Sequence, residues 1–503
     1  MEPAGPLRRP MTVSPISTPN AGPTATLPGR TRIMRSVGPG SSRSITAERH
    51  ATMKQRLVVI GNGMAPGRAL DGLFEKKPDA YDVTIFNAEP RVNYDRIMLS
   101  PILSGEKSFD QIVIHGDGWY EKHGVTLYKG ATVTAIDRAA KTVTSARGIT
   151  VAYDKLIIAT GSLPIILPVP GHNLAGVLTY RDLDDVQAML LAAKSRGSAI
   201  VIGGGLLGLE AAVGLKGQGM DVTVIHLAPT LMERQLDAPS GHLLQRAIEA
   251  RGIKVLTKAS TKAILGEKKV EALLLEDGTC LPADLIVMAV GIKPNAGIAK
   301  SAGLATGRGI IVSPSMQTSD PDIYALGECA EFEGQVFGLV APLYDMAGVL
   351  AAHLAGDTTP QFSPSAVATK LKVTGIELFS AGDFAQGPDR EEVVFYDPAC
   401  GVYKRLVLSH NKIIGAVLYG DTSDGAWFFD LLKQATDISD QRDTLIFGPG
   451  FPATAIAARP VLEATTSPPI PDAVVAASAQ VAAIGKHTGP NQGSVRLATA
   501  APG

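Results

Sequence analysis

Cysteine is scarce in this chain. Of 503 residues only Cys280, Cys329 and Cys400 are cysteines, widely separated and with no CxxC pair among them. Three thiols exclude a four-cysteine iron–sulfur or zinc site within the chain, no metal site is expected, and the rarity suits a reducing, cytoplasmic compartment. Long apolar runs are missing too, since none reaches the roughly 20 residues that a spanning helix needs. Charge of one sign is also missing: the formal net charge is −1, so nothing in the balance argues for nucleic acid or an anionic membrane surface as partner. Residues 1–52 are short of acids, with Glu2 and Glu48 alone among Pro, Ser, Thr, Gly and Arg in no periodic order. Such a stretch cannot bury enough apolar surface to offset about 1–2 kcal/mol of backbone entropy per residue, so a disordered tail is expected. It has no apolar core for a secretory signal. An Arg-rich, acid-poor start also suits an organelle transit peptide, but Met53 directly before the first strand gives a simpler account, a tail or an overcalled start codon.

What is present is a globular composition, 45% hydrophobic and 19% charged, over a length that allows two to four domains. The clearest signal is AIVIGGGLLGLEAAVGLKGQGMDVTVIHLA at 199–228. Ala199 to Ile202 is an apolar strand, Gly203, Gly205 and Gly208 have GxGxxG spacing, Leu206 to Lys216 has helical composition, and Met220 to Ile225 is β-branched again. Gly203 then makes the tight turn, Gly205 lets backbone approach a pyrophosphate, and Gly208 lets helix pack on strand. The phosphates would sit on free amides at the helix N-terminus.

A degenerate copy stands upstream. Lys54 to Ile60 leads into GNGMAPGRALDGLF, where Gly61 and Gly63 fill the first two glycine positions, Pro66 takes the third and Gly67 comes one place late. Proline is tolerated in the first turn of a helix, where its missing amide costs little. Tyr81 to Phe86 supplies the next strand. Glu89 near its end either accepts the ribose hydroxyls of an adenosine or is a solvated loop acid. Two such units bring two dinucleotides together, which means electron transfer. Between them VAYDKLIIATGSLP carries a buried strand and then Thr160 and Gly161; after the second come LPADLIVMAVGIKPN, ending in Gly291, and SDPDIYALGECAEF.

These motifs resemble the two-dinucleotide-fold flavoprotein reductases, in which the first unit binds FAD and an inserted second unit binds NADH or NADPH. RVNYDRIMLSPILSGE (91–106), HLAPTLMERQLD (226–237), GECAEFEGQVFGLVAPLYDMAGVLAAHL (327–354), TKLKVTGIELFSAGDF (369–384) and GVYKRLVLSHNKIIGAVLYGDTSDGAWFFDLL (401–432) are similar to the N-terminal flavin module of the NAD(P)H nitrite reductase large subunit. The likeness runs from about Lys54 to Gly450. That subunit would continue into a cysteine-bearing iron–sulfur segment and a sirohaem domain; here the chain runs into Pro, Ala, Ser and Thr without a cysteine. The resemblance implies an α/β fold of two Rossmann-like domains and a small α+β C-terminal domain. The expected layout is a FAD domain at 53–165 and 285–358, an NAD(P) domain at 166–284, an acceptor-facing domain at 363–448, and disordered tails at 1–52 and 456–503.

By the same resemblance Gly61, Asn62, Gly63, Glu89, Thr160, Gly161 and Glu328 fall where FAD would be held, and Arg96 and Ser100 in the stretch that would approach its ring. Glu328 stands where aspartate is usual, and Pro101 where related ferredoxin and rubredoxin reductases carry a lysine. Gly203, Gly205, Gly208, Glu210, His226 and Gly291 would hold the nicotinamide nucleotide, with Glu210 close to its ring. Glu210 is equally a helix-start acid favourable to the dipole. His226 occupies the place of the acid that marks NAD specificity, so the sequence is ambiguous; the resemblance points to NADH, with NADPH also accepted.

Residues 91–106 lack the redox cysteine pair of the disulfide reductases, and Cys329 reads as a small buried residue. Beyond Ser363, alternation at 392–395, 403–408 and 413–418 predicts antiparallel strands, and 424–433 a helix with Trp427 and Phe428 as core. Hydride transfer needs no acid or base, so no catalytic residue is singled out. The expected function is electron transfer from NAD(P)H through FAD to a separate iron–sulfur or haem protein of nitrite or nitrate reduction. A ferredoxin or rubredoxin reductase is the alternative, and a flavin-binding regulatory protein without turnover the next.

Overall fold

The computed structural model describes residues 54–364, 366–373 and 375–451; the tails expected at 1–52 and 456–503 lie outside them. The first unit opens with β1 (Gln55–Ile60), α1 (Met64–Lys76) and β2 (Tyr81–Phe86), then a short helix α2 (Leu99–Ser104), β3 (Thr126–Tyr128) and β4 (Lys155–Ile158). The chain crosses through β5 (Ser162–Pro164) into the second unit, made of β6 (Val177–Thr179), α3 (Leu183–Ala193), β7 (Ser198–Ile202), α4 (Leu206–Gly217), β8 (Asp221–Ile225), α5 (Ala238–Glu249), β9 (Lys254–Leu256) and β10 (Leu285–Met288). It returns through β11 (Ile292–Pro294), which pairs antiparallel with β5, to β12 (Ile323–Ala325) and α6 (Val340–Leu354) of the first unit.

Both units are five-stranded parallel sheets of the same order, β12-β4-β1-β2-β3 and β6-β10-β7-β8-β9. In each, the central strand runs into the glycine turn, which sets that turn at the carboxyl edge of the sheet, where open α/β folds bind ligands. The strands are apolar on both faces because helices or further sheet cover both sides. In β7, Ala199 and Val201 face one buried cluster and Ile200 and Ile202 the other. The expected boundary at 284/285 is corrected here: β10 hydrogen-bonds to β6 and β7, so residues 285–288 belong to the second sheet. An apolar strand with no glycine signal before it reads the same in either unit.

The last unit is an antiparallel sheet, β13 (Ala368–Val373), β14 (Ile376–Gly382), β15 (Glu391–Asp397), β16 (Val402–Ser409) and β17 (Lys412–Tyr419), in the order β13-β14-β17-β16-β15, followed by α7 (Gly425–Gln434). One face packs on α7, where Phe428 is fully buried and Trp427 partly so. Leu378, Tyr403, Val417 and Tyr419 on the other face join a buried cluster made of the second unit's core with Tyr94, Leu99, Leu103 and Ile112 of the first.

Candidate functional site

Each glycine turn is closed behind and open in front. Gly61 has φ +110° and Gly203 φ +121°; a Cβ on either would stand 2.2 Å from a carbonyl oxygen, of Ala159 and Ala289 respectively, so only glycine fits. At Gly63 and Gly205, which cap α1 and α4, a Cβ would meet nothing within 4 Å. That free space before the first amides of a helix fits a pyrophosphate. Gly208 is glycine because a Cβ there would come 1.9 Å from the Gly203 carbonyl oxygen. In the first unit the glycine is one place later: Gly67 passes within about van der Waals reach of Asn93 and His115, with a Cβ there at 3.1 Å from both.

Asn93 explains that arrangement. Its side-chain amide donates to the carbonyls of Asn62 and Gly63, at 2.9 and 2.7 Å, and the buried Asn62 amide donates to the Tyr120 hydroxyl at 2.9 Å. Asn62 therefore braces the turn from behind. The Asn93 side-chain oxygen is buried without a partner.

Glu89 is not a solvated loop acid. Tyr94 donates to it at 2.7 Å and the Arg96 guanidinium is ion-paired with it. Arg96 reaches on to the Arg181 carbonyl at 3.3 Å, and the Arg181 guanidinium pairs with Glu328, which also accepts from Ser162 Oγ at 2.9 Å. Gly161, at φ +65°, lies under that pair. Thr160 donates to the Asn295 carbonyl at 2.6 Å, and Gly291 accepts from Ile165 N at 2.9 Å, so Thr160 and Gly291 both sit where the chain crosses between units. Asn93, Tyr120, Ser162 and Arg181 carried no spacing signal; only the folded geometry brings them here.

The two units meet at Ser100 and Glu210. Ser100 Oγ donates to Glu210 Oε2 at 2.5 Å and lies 2.9 Å from the Tyr180 hydroxyl. Desolvation between the units raises the Glu210 carboxyl above the ordinary range, with Ser100 opposing, and burial likewise raises the Tyr180 phenol. α2, which carries Ser100, packs on α4, which carries Glu210: Gly214 leaves the space that fully buried Leu103 fills, and Gln218 donates to the Leu103 carbonyl at 2.8 Å.

His226 is 8% exposed and tucked behind the second glycine turn, with Gly204 N donating to its Nδ1 at 3.1 Å. Cys329 is fully buried against the Ile158 and Leu326 carbonyls, burial pushes its thiol up, and Cys280 and Cys400 are exposed and free. Among the described residues no helix is long and apolar enough to cross a membrane.

Residues 55–362 match the family described as pyridine nucleotide-disulphide oxidoreductase, and residues 368–436 match the rubredoxin NAD+ reductase C-terminal domain. The chain is 48% identical to a nitrite reductase [NAD(P)H] of Bacillus subtilis (strain 168), over 79% of this chain and 49% of that one. It is 45% identical to the assimilatory nitrate reductase electron transfer subunit of the same organism, over 78% and 51%. The chain thus spans about half the length of these curated relatives. The crystal structure of NADH:rubredoxin oxidoreductase from Clostridium acetobutylicum is similar at a TM-score of 0.65 and 30% identity, covering 77% of this chain and 97% of that one.

Proposed function

The chain belongs to the pyridine nucleotide-disulphide oxidoreductase family, and we propose that it passes electrons from NAD(P)H through FAD to a separate iron–sulfur or haem protein in nitrite or nitrate assimilation. The observation that carries this is a pair of open glycine turns, at Gly63 and Gly205, in two units that are hydrogen-bonded to each other through Ser100 and Glu210. When bound, FAD supplies the exchange between two-electron reduction by a nicotinamide and one-electron delivery to an acceptor.

The chain's own residues position. The amides at the starts of α1 and α4 receive the pyrophosphates, with Asn62 bracing one turn and His226 the other. Arg181 of the second unit pairs with Glu328 of the first, and with Ser162 they form a polar wall where the units meet. α2 and α4 fix the approach of the two sites, which turns a bimolecular encounter into a unimolecular step. Ser100 and Tyr180 hold the Glu210 carboxyl where the units meet. No cysteine pair stands among the described residues, so the route does not run through a disulfide.

A second reading, a rubredoxin or ferredoxin reductase, is favoured by the match of 368–436 to the rubredoxin reductase C-terminal domain. One experiment separates the two. The full chain, loaded with FAD and given NADH, is offered the iron–sulfur and sirohaem part of a nitrite reductase, a rubredoxin and a ferredoxin in turn. Fastest reduction of the first supports the proposal, and fastest reduction of either small carrier supports the second reading. Failure of NADH or NADPH to bleach the flavin would sink both and leave a flavin-binding protein without turnover.

A further inference from the structure

We infer that Glu233, anchored by His226, is the carboxylate through which the second unit prefers a dinucleotide whose adenosine ribose carries no 2′-phosphate. This rests on the reading that the second unit takes a nicotinamide dinucleotide. The residue beyond the strand after the glycine helix is where an acid normally accepts the ribose hydroxyls and repels a 2′-phosphate. β8 ends at Ile225, which puts His226 in that place. His226 cannot do this work. The backbone amide of Gly204 only donates, so His226 Nδ1 is its acceptor at 3.1 Å and the ring proton is on Nε2. Nε2 in turn stands 3.0 Å from the Thr230 carbonyl oxygen and 3.0 Å from Glu233 Oε2. Both ring nitrogens are occupied, and the neutral tautomer brings no charge.

Glu233 brings the charge instead. The segment after β8 is folded against the second turn: Met232 N donates to the Gly204 carbonyl at 3.1 Å, and a Cβ on Gly204 would meet Leu231 Cδ2 at 2.5 Å and His226 Cγ at 2.8 Å. Gly204, the variable position of the motif, is glycine for this reason. The fold places the Glu233 carboxylate one imidazole away from the turn, with its side chain 43% exposed and so open to a ligand. His226 acts as a positioning residue, linking the turn that takes the phosphates to the carboxylate that meets the ribose. Two exposed cations oppose it, Arg234 next in the chain and Lys258, whose amide donates to the Ala228 carbonyl at 3.2 Å.

The test is titration calorimetry of NAD+ and NADP+ into the FAD-loaded full chain, which needs no turnover. The wild-type chain should bind NAD+ at least about tenfold more tightly, a difference of about 1.4 kcal/mol. Glu233→Gln should tighten NADP+ binding and remove most of that ratio without moving the melting temperature, and Glu233→Asp should keep part of it. A wild-type chain without the preference, or a Glu233→Gln variant that keeps the wild-type ratio, overturns the inference. A wild-type chain that binds neither nucleotide overturns instead the reading on which the inference rests.

Discussion

Ser100 has one hydroxyl proton, and it is given to Glu210; the 2.9 Å contact with Tyr180 must then be donated by the phenol. The order Tyr180 to Ser100 to Glu210 orients the carboxyl toward the meeting of the units. Ser100→Ala removes the middle member, and a hydrogen bond to a carboxylate is worth about 1.5–3 kcal/mol. Flavin reduction by NADH should therefore slow by about tenfold or more in stopped-flow absorbance, while flavin content stays at the wild-type level. Loss of flavin would instead assign Ser100 to FAD retention. Glu210 makes a second prediction, on stability. A carboxyl raised in the folded state folds more readily protonated, so its contribution is complete below the unfolded value near 4.3 and is lost as pH rises through the raised one. Glu210→Gln carries no such loss. Its melting temperature relative to wild type should rise between pH 4 and pH 8, and a flat difference would refute the shift. Ser100 and Glu210 were legible in the sequence only through resemblance. Tyr180 was not legible, because a tyrosine before a helix cap has no signature until the other unit folds against it.

At the scale of elements, the two strand–turn–helix units were readable because glycine spacing and a change of apolar period coincide over about thirty residues. Shorter elements were not. α2 has six residues with Pro101 among them, and β5 and β11 have three each, too few for a period to repeat. These unread elements hold the units together, and so the relation between the sites was invisible even where their residues were named. The turns themselves yield a prediction that separates binding from folding. Gly61 is backed by a carbonyl at 2.2 Å from a would-be Cβ, so a side chain there strains the fold. Gly63 faces free space. Gly63→Glu should leave the chain folded, by circular dichroism, but colourless, because a side chain and a negative charge now stand where phosphate must sit. A yellow Gly63→Glu protein would mean that the flavin does not use this turn.

For the whole molecule, the question is what docks the last unit on the second. Asp237 is the joint: it caps α5, accepting from Ser240 N at 3.2 Å, and it accepts from Tyr403 at 2.6 Å and from the Arg405 guanidinium at 3.3 Å. Arg405, 5% exposed, also holds Glu392 through two bonds of 3.0 and 2.7 Å and donates to the Phe384 carbonyl at 3.0 Å. Arg405 keeps the Glu392 carboxyl below the ordinary range, and Lys404 holds Asp421 down to about 2. Carboxylates depressed in this way contribute stability that is present above their unfolded values near 4 and is lost as pH falls through the folded ones. Asp421 is 42% exposed, so its share is reduced by solvent screening. The last unit's own stability should hold from neutrality to about pH 4 and weaken from there toward pH 2. Asp237→Ala removes a cap worth about 1 kcal/mol and strands part of a buried cation's partners, for a total of about 2–5 kcal/mol. The buried cluster around the first glycine turn contains no residue from 363–448 among the described residues, whereas Tyr94, Leu99, Leu103 and Ile112 of the first unit share a cluster with Leu378 and Tyr403 of the last. Calorimetry of Asp237→Ala should resolve an early transition for the last unit while flavin is still bound, with that transition moving lower below pH 4. A single transition, with flavin released along its whole course, would show instead that the three units fold as one.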